Sequence, residues 1–527
     1  MYKIVVSDPL EATGLAMLRD SGHEVVELPG DQRDRLPELI ADCDALVVRS
    51  GTKVTADLLR AGEKLRVVGR AGIGVDNVDV ATATELGILV VNAPTANLLS
   101  ATEHTFALLL ALARNVAAAD AALKGGEWNR KKFVGAELQG KTLGVIGFGR
   151  IGRQVALRAR AFDMNVLAYD PLLDDDLVRR ENAEPRELED LLAEADVVTL
   201  HVPLTDGTRN LLSKERIAGI KKGALLVNCA RGGVVDEAAL LEALESGQLA
   251  GAGMDVFAKE PPEDFALARH PRVVATPHLG AQTREAQVRI STETAKMVLK
   301  ALDGSLAVTA VNLPFRPAGM AGEPFLRLAD KLGLLASALL TGGGLHRIDV
   351  QLRGIETSLR RPIAVAVLKG ALSQYHGEAV NYVNAERIAA DSGIEVVRST
   401  SSDPSDYPNL IEVELHGEEG SFEVAGTLFH EREARIVQVE SYHLEFVPKG
   451  ELLMVRNDDV PGVVGKVGSL LGDAGVNIAA IHLSRRPKSE EALAVVRLDH
   501  EPPAEIVDRL RQLPEVRSAV LVDVGAL

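Results

Sequence analysis

The chain has 527 residues, 46% hydrophobic and 25% charged, with 58 Lys and Arg against 75 Asp and Glu for a formal charge of −17. That length exceeds one ordinary core and points to three or four globular domains. The acidic balance argues against a nucleic-acid or anionic-membrane partner, and two cysteines, Cys43 and Cys229, exclude a disulfide framework or a Cys-rich metal site.

Met1 to Val6 reads as a strand without a basic segment ahead of a long apolar core, so a cytoplasmic protein is expected. Short apolar runs follow at Ala45–Arg49, Val67–Arg70 and Leu89–Asn92, spaced for crossover helices as in a parallel sheet. Residues 98–140 are Ala/Leu-rich and read as helical, and their most apolar stretch, Phe106–Ala113, falls far short of the ~20 residues that span a bilayer. The alternation resumes at Thr142–Ile146 and Val166–Tyr169 and continues through Val197–His201, Leu225–Asn228, Gly251–Asp255 and Val273–Thr276. A helix over Thr283–Leu302 then leaves this second unit, and Val308–Asn312 reads as a strand returning to the first. Residues 316–324 are punctuated by Pro and Gly like a linker. From there to 449 strands and helices mix without a nucleotide signature, and 450–527 read as βαββαβ, the order of a ferredoxin-like sandwich.

The expected class is α/β: two doubly wound, Rossmann-like parallel-sheet domains, then an α/β domain and a ferredoxin-like one. The expected boundaries are a discontinuous substrate-binding domain at 1–97 and 281–315, a dinucleotide-binding domain at 98–280, a middle domain at 316–449 and a tail at 450–527.

Gly147-Phe148-Gly149-Arg150-Ile151-Gly152 lies between a strand and a helix, and Asp170 closes the next strand. In that context the pattern is a dinucleotide fingerprint. Gly147 permits the turn, Gly149 lets backbone N–H groups approach a pyrophosphate, and Gly152 lets the helix pack on the strand. The helix N-terminus stabilises the phosphate charge. Asp170 is suited to accept hydrogen bonds from both ribose hydroxyls and to repel a 2′-phosphate, so NAD is expected rather than NADP.

Arg231, Glu260 and His278 each follow the carboxyl end of a predicted strand, where open α/β sheets bind ligands. Together they suit oxidation of a 2-hydroxy acid. His278 takes the hydroxyl proton, Glu260 favours the protonated imidazole, and Arg231 grips the carboxylate and polarises the developing carbonyl.

These residues resemble the D-isomer-specific 2-hydroxyacid dehydrogenase family over roughly 1–312. The resemblance rests on Arg70–Asn77, the glycine fingerprint, the Arg231 run, Gly253–Phe257 and Pro277–Ala281. It implies the same three roles, and it implies cofactor contacts at Arg150, Ile151, Asp170, Cys229, Ala230, Asp255 and Leu279-Gly280-Ala281. No resident metal is implied. Asp459-Val460-Pro461-Gly462 with Val476-Asn477-Ile478 resembles an ACT domain, a module that binds amino acids. Head, middle and tail together narrow the implied substrate to 3-phosphoglycerate, at the entrance to L-serine synthesis. L-serine is the implied effector, with Asp459 taking its ammonium and Asn477 its carboxylate. Arg49 and Arg70, at strand ends facing the cleft, are the phosphate candidates. Gly72 and Asn97 complete the expected substrate contacts. The resemblance also implies a homo-oligomer, dimer or tetramer, with the arm around Arg130-Lys131-Lys132 packed on a neighbouring subunit; the basic cluster itself reads as a solvated charge run. Two rivals stand beside this reading: a glyoxylate- or lactate-type dehydrogenase of the same family, and an NAD-sensing, corepressor-like protein without catalysis.

Overall fold

The computed structural model describes residues 1–28, 32, 35–304, 309–315, 322–401, 406–486 and 490–525. Strands β1 (Lys3–Val6), β2 (Glu24–Glu27), β3 (Ala45–Val48), β4 (Val67–Arg70) and β5 (Leu89–Asn92) pair in parallel in the order β2-β1-β3-β4-β5. The Val-rich runs of β3 and β4 are buried because crossover helices cover both sheet faces. In this sheet only β2 escaped the sequence reading: it reads Glu-Val-Val-Glu and is half exposed, so it lacks the continuous apolar signature.

A second parallel sheet contains β6 (Thr142–Ile146), β7 (Asn165–Tyr169), β8 (Glu184–Pro185), β9 (Val197–Leu200), β10 (Ala224–Asn228), β11 (Leu249–Met254) and β12 (Val273–Ala275). Its order, β12-β11-β10-β9-β6-β7-β8, reverses between β6 and β9, the kind of switch point at which open α/β sheets hold nucleotides. The glycine turn leaves β6 at this point.

The chain crosses between the two sheets twice. The first crossing enters the helix Leu98–Ala113, and the second enters the helix Arg284–Leu302. The latter lies across β4 at Gly69, where an added Cβ would fall 2.5 Å from Val298 Cγ2. Two hydrogen bonds tie the crossings together, Ser100 Oγ to Gly280 O at 2.8 Å and Arg289 Nε to Ala96 O at 2.9 Å, and Gln287 Nε2 closes the turn of the second crossing by donating to Ala281 O at 2.8 Å.

Two expectations need correction. Residues 98–140 are not one helical run: the chain turns at Asn115, in a left-handed conformation at φ 52°, into Val116–Lys124. A 3-10 turn, Arg130–Phe133, follows, and the stretch after it is irregular. This arm leaves Val116, Leu123, Trp128 and Val134 exposed, Trp128 by 79%. The returning segment forms no strand over its described residues. Val308 lies outside them, and Ala310 makes a single antiparallel bridge to Val91. Of the expected linker, 316–321 also lie outside them. No single helix among the described residues is long and apolar enough to cross a membrane.

The middle sheet runs β14-β13-β15-β16-β17-β18, from β13 (Arg347–Arg353), β14 (Glu395–Ser401), β15 (Leu410–Gly417), β16 (Gly420–Phe429), β17 (Glu433–Val439) and β18 (Tyr442–Phe446). Helices Glu323–Leu339 and Thr357–His376 cover its apolar face. The tail sheet, β19 (Glu451–Asp458), β20 (Ile478–Arg485), β21 (Glu491–Leu498) and β22 (Val516–Asp523), is antiparallel in the order β20-β21-β19-β22. Its helices Val463–Asp473 and Ala504–Arg511 cover one face. From the other face Leu452, Met454, Leu493, Val495 and Val522 enter the middle core.

Gly152 bears on stability directly, because an added Cβ would lie 2.1 Å from the Gly147 carbonyl oxygen. Gly152→Ala is expected to cost about 1–3 kcal/mol through overpacking, read as a lower midpoint of thermal unfolding.

Candidate active site

The glycine turn is built as a phosphate cradle. Gly149 caps the helix Arg150–Ala161 without any side-chain cap, and its first turn carries no acid. The N–H groups there therefore remain free to receive an anion. An added Cβ at Gly149 would meet nothing within 4 Å, so no packing within the protein requires glycine there. Arg150 is exposed and Ile151 half-buried beside the turn. Asp170, immediately after β7, accepts from Phe148 N at 2.9 Å and Leu172 N at 3.0 Å. These bonds fix the carboxylate against the glycine turn.

At the other end of this edge, Arg231, Glu260 and His278 come from the loops after β10, β11 and β12. His278 Nδ1 lies 2.7 Å from Glu260 Oε2, and Glu260 Oε1 accepts from Phe257 N at 3.1 Å. Burial works to raise the Glu260 carboxyl, but the hydrogen bond and charge of His278, with the Phe257 N–H, hold it below the usual range. Nδ1 is thereby committed to Glu260, and the geometry leaves Nε2 for other chemistry. A cavity of about 490 Å³ adjoins the pair, lined by Phe257, Pro261, Phe265 and Thr276.

Arg231 reaches across the gap to the first sheet, where its Nε donates to Asp76 at 3.1 Å. Arg49 and Arg70, after β3 and at the end of β4, converge on the same region. Burial pushes the Arg70 guanidinium down to about 10, and repulsion from Arg231 and Arg49 adds to the effect. Asn77 links them: its Oδ1 lies 3.5 Å from Arg70 Nε, and its Nδ2 donates to Arg49 O at 2.6 Å. Arg49 Nη2 donates to Gln287 at 2.5 Å, on the helix that returns from the second sheet. Gly72 is buried and its carbonyl accepts from Ala93 N at 2.9 Å. Asn97 stands at the start of the helix Leu98–Ala113, its Oδ1 buried without a hydrogen-bond partner.

Asp255, itself an expected cofactor contact, is only 1% exposed. Its Oδ1 accepts from Leu279 N at 2.7 Å and Thr276 Oγ1 at 2.6 Å, and its Oδ2 from Gly280 N at 2.8 Å. Its carboxylate is thus occupied by the protein. Cys229 is buried enough to push its thiol up to about 12, so it stays neutral; Ala230 N donates to Asn228 Oδ1 at 3.0 Å. Three contributors were missed from the sequence: Asp76, Asn77 and His104. The first two sit inside the Arg70–Asn77 motif, so motif membership was available as a signal. His104 lies in mid-helix with no local pattern to mark it.

The tail residues are elsewhere. Asp459 pairs with Arg485 at 3.0 Å, and Asn477 donates to Asp499 at 2.6 Å. The structure does not join them by a direct hydrogen bond.

Residues 106–280 match the family described as D-isomer specific 2-hydroxyacid dehydrogenase, NAD binding domain. Residues 322–440 match the D-3-phosphoglycerate dehydrogenase intervening domain, and 452–515 the ACT domain. Among solved structures, a glyoxylate reductase from Paecilomyes thermophila is 30% identical with TM-score 0.55, covering 59% of this chain and 98% of its own. A D-lactate dehydrogenase from Aquifex aeolicus, solved with NAD and lactic acid, is 31% identical with TM-score 0.52, covering 57% and 96%. The chain is an NAD-binding dehydrogenase of the D-isomer-specific 2-hydroxyacid class. Curated relatives extend over its whole length. D-3-phosphoglycerate dehydrogenases of Methanocaldococcus jannaschii and Bacillus subtilis are 42% and 41% identical, each covering 99% of this chain and 100% of the relative. The chain belongs to the D-3-phosphoglycerate dehydrogenase family.

Asp170→Ala is expected to narrow the preference for NAD over NADP, chiefly by weakening NAD, in kcat/KM measured with both cofactors. Gly149→Ala is expected to keep the thermal midpoint while losing NAD affinity.

Proposed function

We propose that this enzyme oxidises D-3-phosphoglycerate to 3-phosphohydroxypyruvate in the cytoplasm, as the entry to L-serine synthesis, under feedback by L-serine. The observation that carries the substrate is the convergence of Arg49, Arg70 and Arg231 on one cleft, close enough that burial and mutual repulsion lower Arg70. Such crowding of like charge is costly in the free enzyme and is relieved by a ligand with two anionic ends. A phosphate opposite Arg49 and Arg70, with a carboxylate opposite Arg231, fits that arrangement. Lactate and glyoxylate each lack the phosphate.

Bound NAD supplies the hydride acceptor. His278 Nε2 takes the proton of the C2 hydroxyl, while Glu260 at Nδ1 holds the ring and favours its charged form. Arg231 holds the carboxylate and polarises the oxygen as it becomes a carbonyl. Its Nε is held by Asp76 and its Nη1 by the Ala230 carbonyl, which fixes the direction in which the guanidinium meets the substrate. We assign 1–97 and 281–315 to substrate binding, 98–280 to NAD binding, 316–449 to the intervening domain and 450–527 to regulation. The arm with exposed Val116, Leu123, Trp128 and Val134 is the surface for a second subunit, since apolar groups of this size seek cover. Serine binding at Asp459 and Asn477 requires displacement of the Arg485 and Asp499 contacts, which makes these two side chains part of the effector's selectivity.

Steady-state turnover with a panel of 2-hydroxy acids tests the assignment: 3-phosphoglycerate is expected to exceed lactate and glycolate in kcat/KM, and comparable values would overturn it. His278→Ala is expected to lower kcat by about 10²-fold or more, with NAD affinity kept. Glu260→Gln is expected to lower kcat with NAD affinity kept, because the amide carries no charge opposite the proton that His278 takes. Calorimetry with L-serine on the full chain is expected to show binding that Asp459→Ala weakens, and millimolar serine without binding or inhibition would remove the feedback assignment.

A further inference from the structure

His104 lies on the buried side of the helix Leu98–Ala113, one turn after Ser100, and faces the loop that carries His278 from behind. Its Nε2 is 2.9 Å from Thr276 Oγ1 and 3.1 Å from Asp255 Oδ1. Thr276 gives its hydroxyl hydrogen to Asp255 at 2.6 Å. The oxygen is then left as an acceptor, so the network requires a hydrogen on His104 Nε2. On the opposite side, Asp255 receives the N–H groups of Leu279 and Gly280, and its backbone carbonyl receives that of His278 at 2.8 Å.

Three consecutive N–H groups, 278 to 280, are therefore collected by one residue. The need is visible in the backbone, because His278 is held at φ 56°, a left-handed conformation that side-chain-bearing residues seldom adopt. Asp255 is suited to the task only while it is an anion in one orientation. Burial works to raise its carboxyl, but the hydrogen bonds of His104, Thr276 and Leu279 N outweigh it and hold the group below the usual range. Cys229, whose ligand atom is within 4.8 Å of the other two, is a neutral thiol and adds no competing charge.

We propose that His104 is a positioning residue: through Thr276 and Asp255 it fixes the backbone of His278–Gly280, and with it the direction of the His278 imidazole. The inference rests on the proposed role of His278 in proton transfer. Ser100, bonding the Gly280 carbonyl from the same helix face, is the second point of the brace.

The test uses the full-length enzyme with His104→Leu, which removes the donor, and His104→Gln, whose amide nitrogen reaches the place of Nε2. His104→Leu is expected to lower kcat about ten-fold or more, as for a catalytic group displaced by a fraction of an ångström to an ångström. Substrate KM is expected to stay near that of the parent. The primary deuterium isotope effect on kcat, with substrate deuterated at C2, is expected to rise as the chemical step becomes limiting. His104→Gln is expected to recover most of both. His104→Asn, one methylene short, covers the case in which the Leu variant does not fold; it is expected to show the loss despite keeping a polar group. Parent-like kcat and isotope effect in the Leu or Asn variant overturn the proposal, as does a Gln variant impaired equally. The isotope effect is readable with any 2-hydroxy acid that turns over, so failure of 3-phosphoglycerate as substrate would count against the proposed function and leave this test standing.

Discussion

The two crossings of the chain between its parallel sheets hold the catalytic arrangement together. Each sheet alone presents half of a cleft: cations from the first, a nucleotide cradle and a His–Glu pair from the second. The halves face each other only because the helix Arg284–Leu302 packs across β4, with Gly69 allowing its side chains to approach the strand. The bonds from Ser100 and Arg289 then lock one crossing to the other. Arg231 and Asp76 complete the link at the mouth of the gap. A contact of this kind between partly exposed groups is weak in water, so it adds little to the packing that holds the halves together.

The parts of the fold that could be read from the sequence are those governed by short-range rules. The runs Lys3–Val6, Val67–Arg70, Leu89–Asn92 and Thr142–Ile146 coincide with strands because a strand buried on both faces must be apolar throughout. The βαββαβ tail was equally plain, since its helices set apolar residues on one face at helical spacing, against Gly, Ser and Lys in the first and charged residues in the second. The break at Asn115 was not, because Ala/Leu-rich sequence favours helix on both sides and a left-handed residue leaves little compositional trace. The two-residue β8 has no run to detect.

The site divides along the same line. Glycines, Asp170, Arg231, Glu260 and His278 stand at strand ends in recurring patterns, so their proximity along one sheet edge followed from topology. Asp76 and His104 act over separations of 155 and 151 residues, and only tertiary packing brings them to their partners. A histidine in mid-helix is silent in sequence. Its meaning arises from the buried carboxylate it faces. The tail posed a further problem: Asp459 and Asn477 were grouped by motif, whereas in the free chain each is held by its own neighbour.

The arm has an optical consequence. The chain contains one tryptophan, and Trp128 stands on that arm with most of its indole in water. Intrinsic indole emission therefore samples a single surface location, outside the cores of all four sheets. Its spectrum will respond to whatever covers the arm and will barely register loosening of the distant sheets, whose unfolding must be followed by circular dichroism or calorimetry. In dilution experiments the same residue offers a label-free test of the subunit contact proposed for this arm.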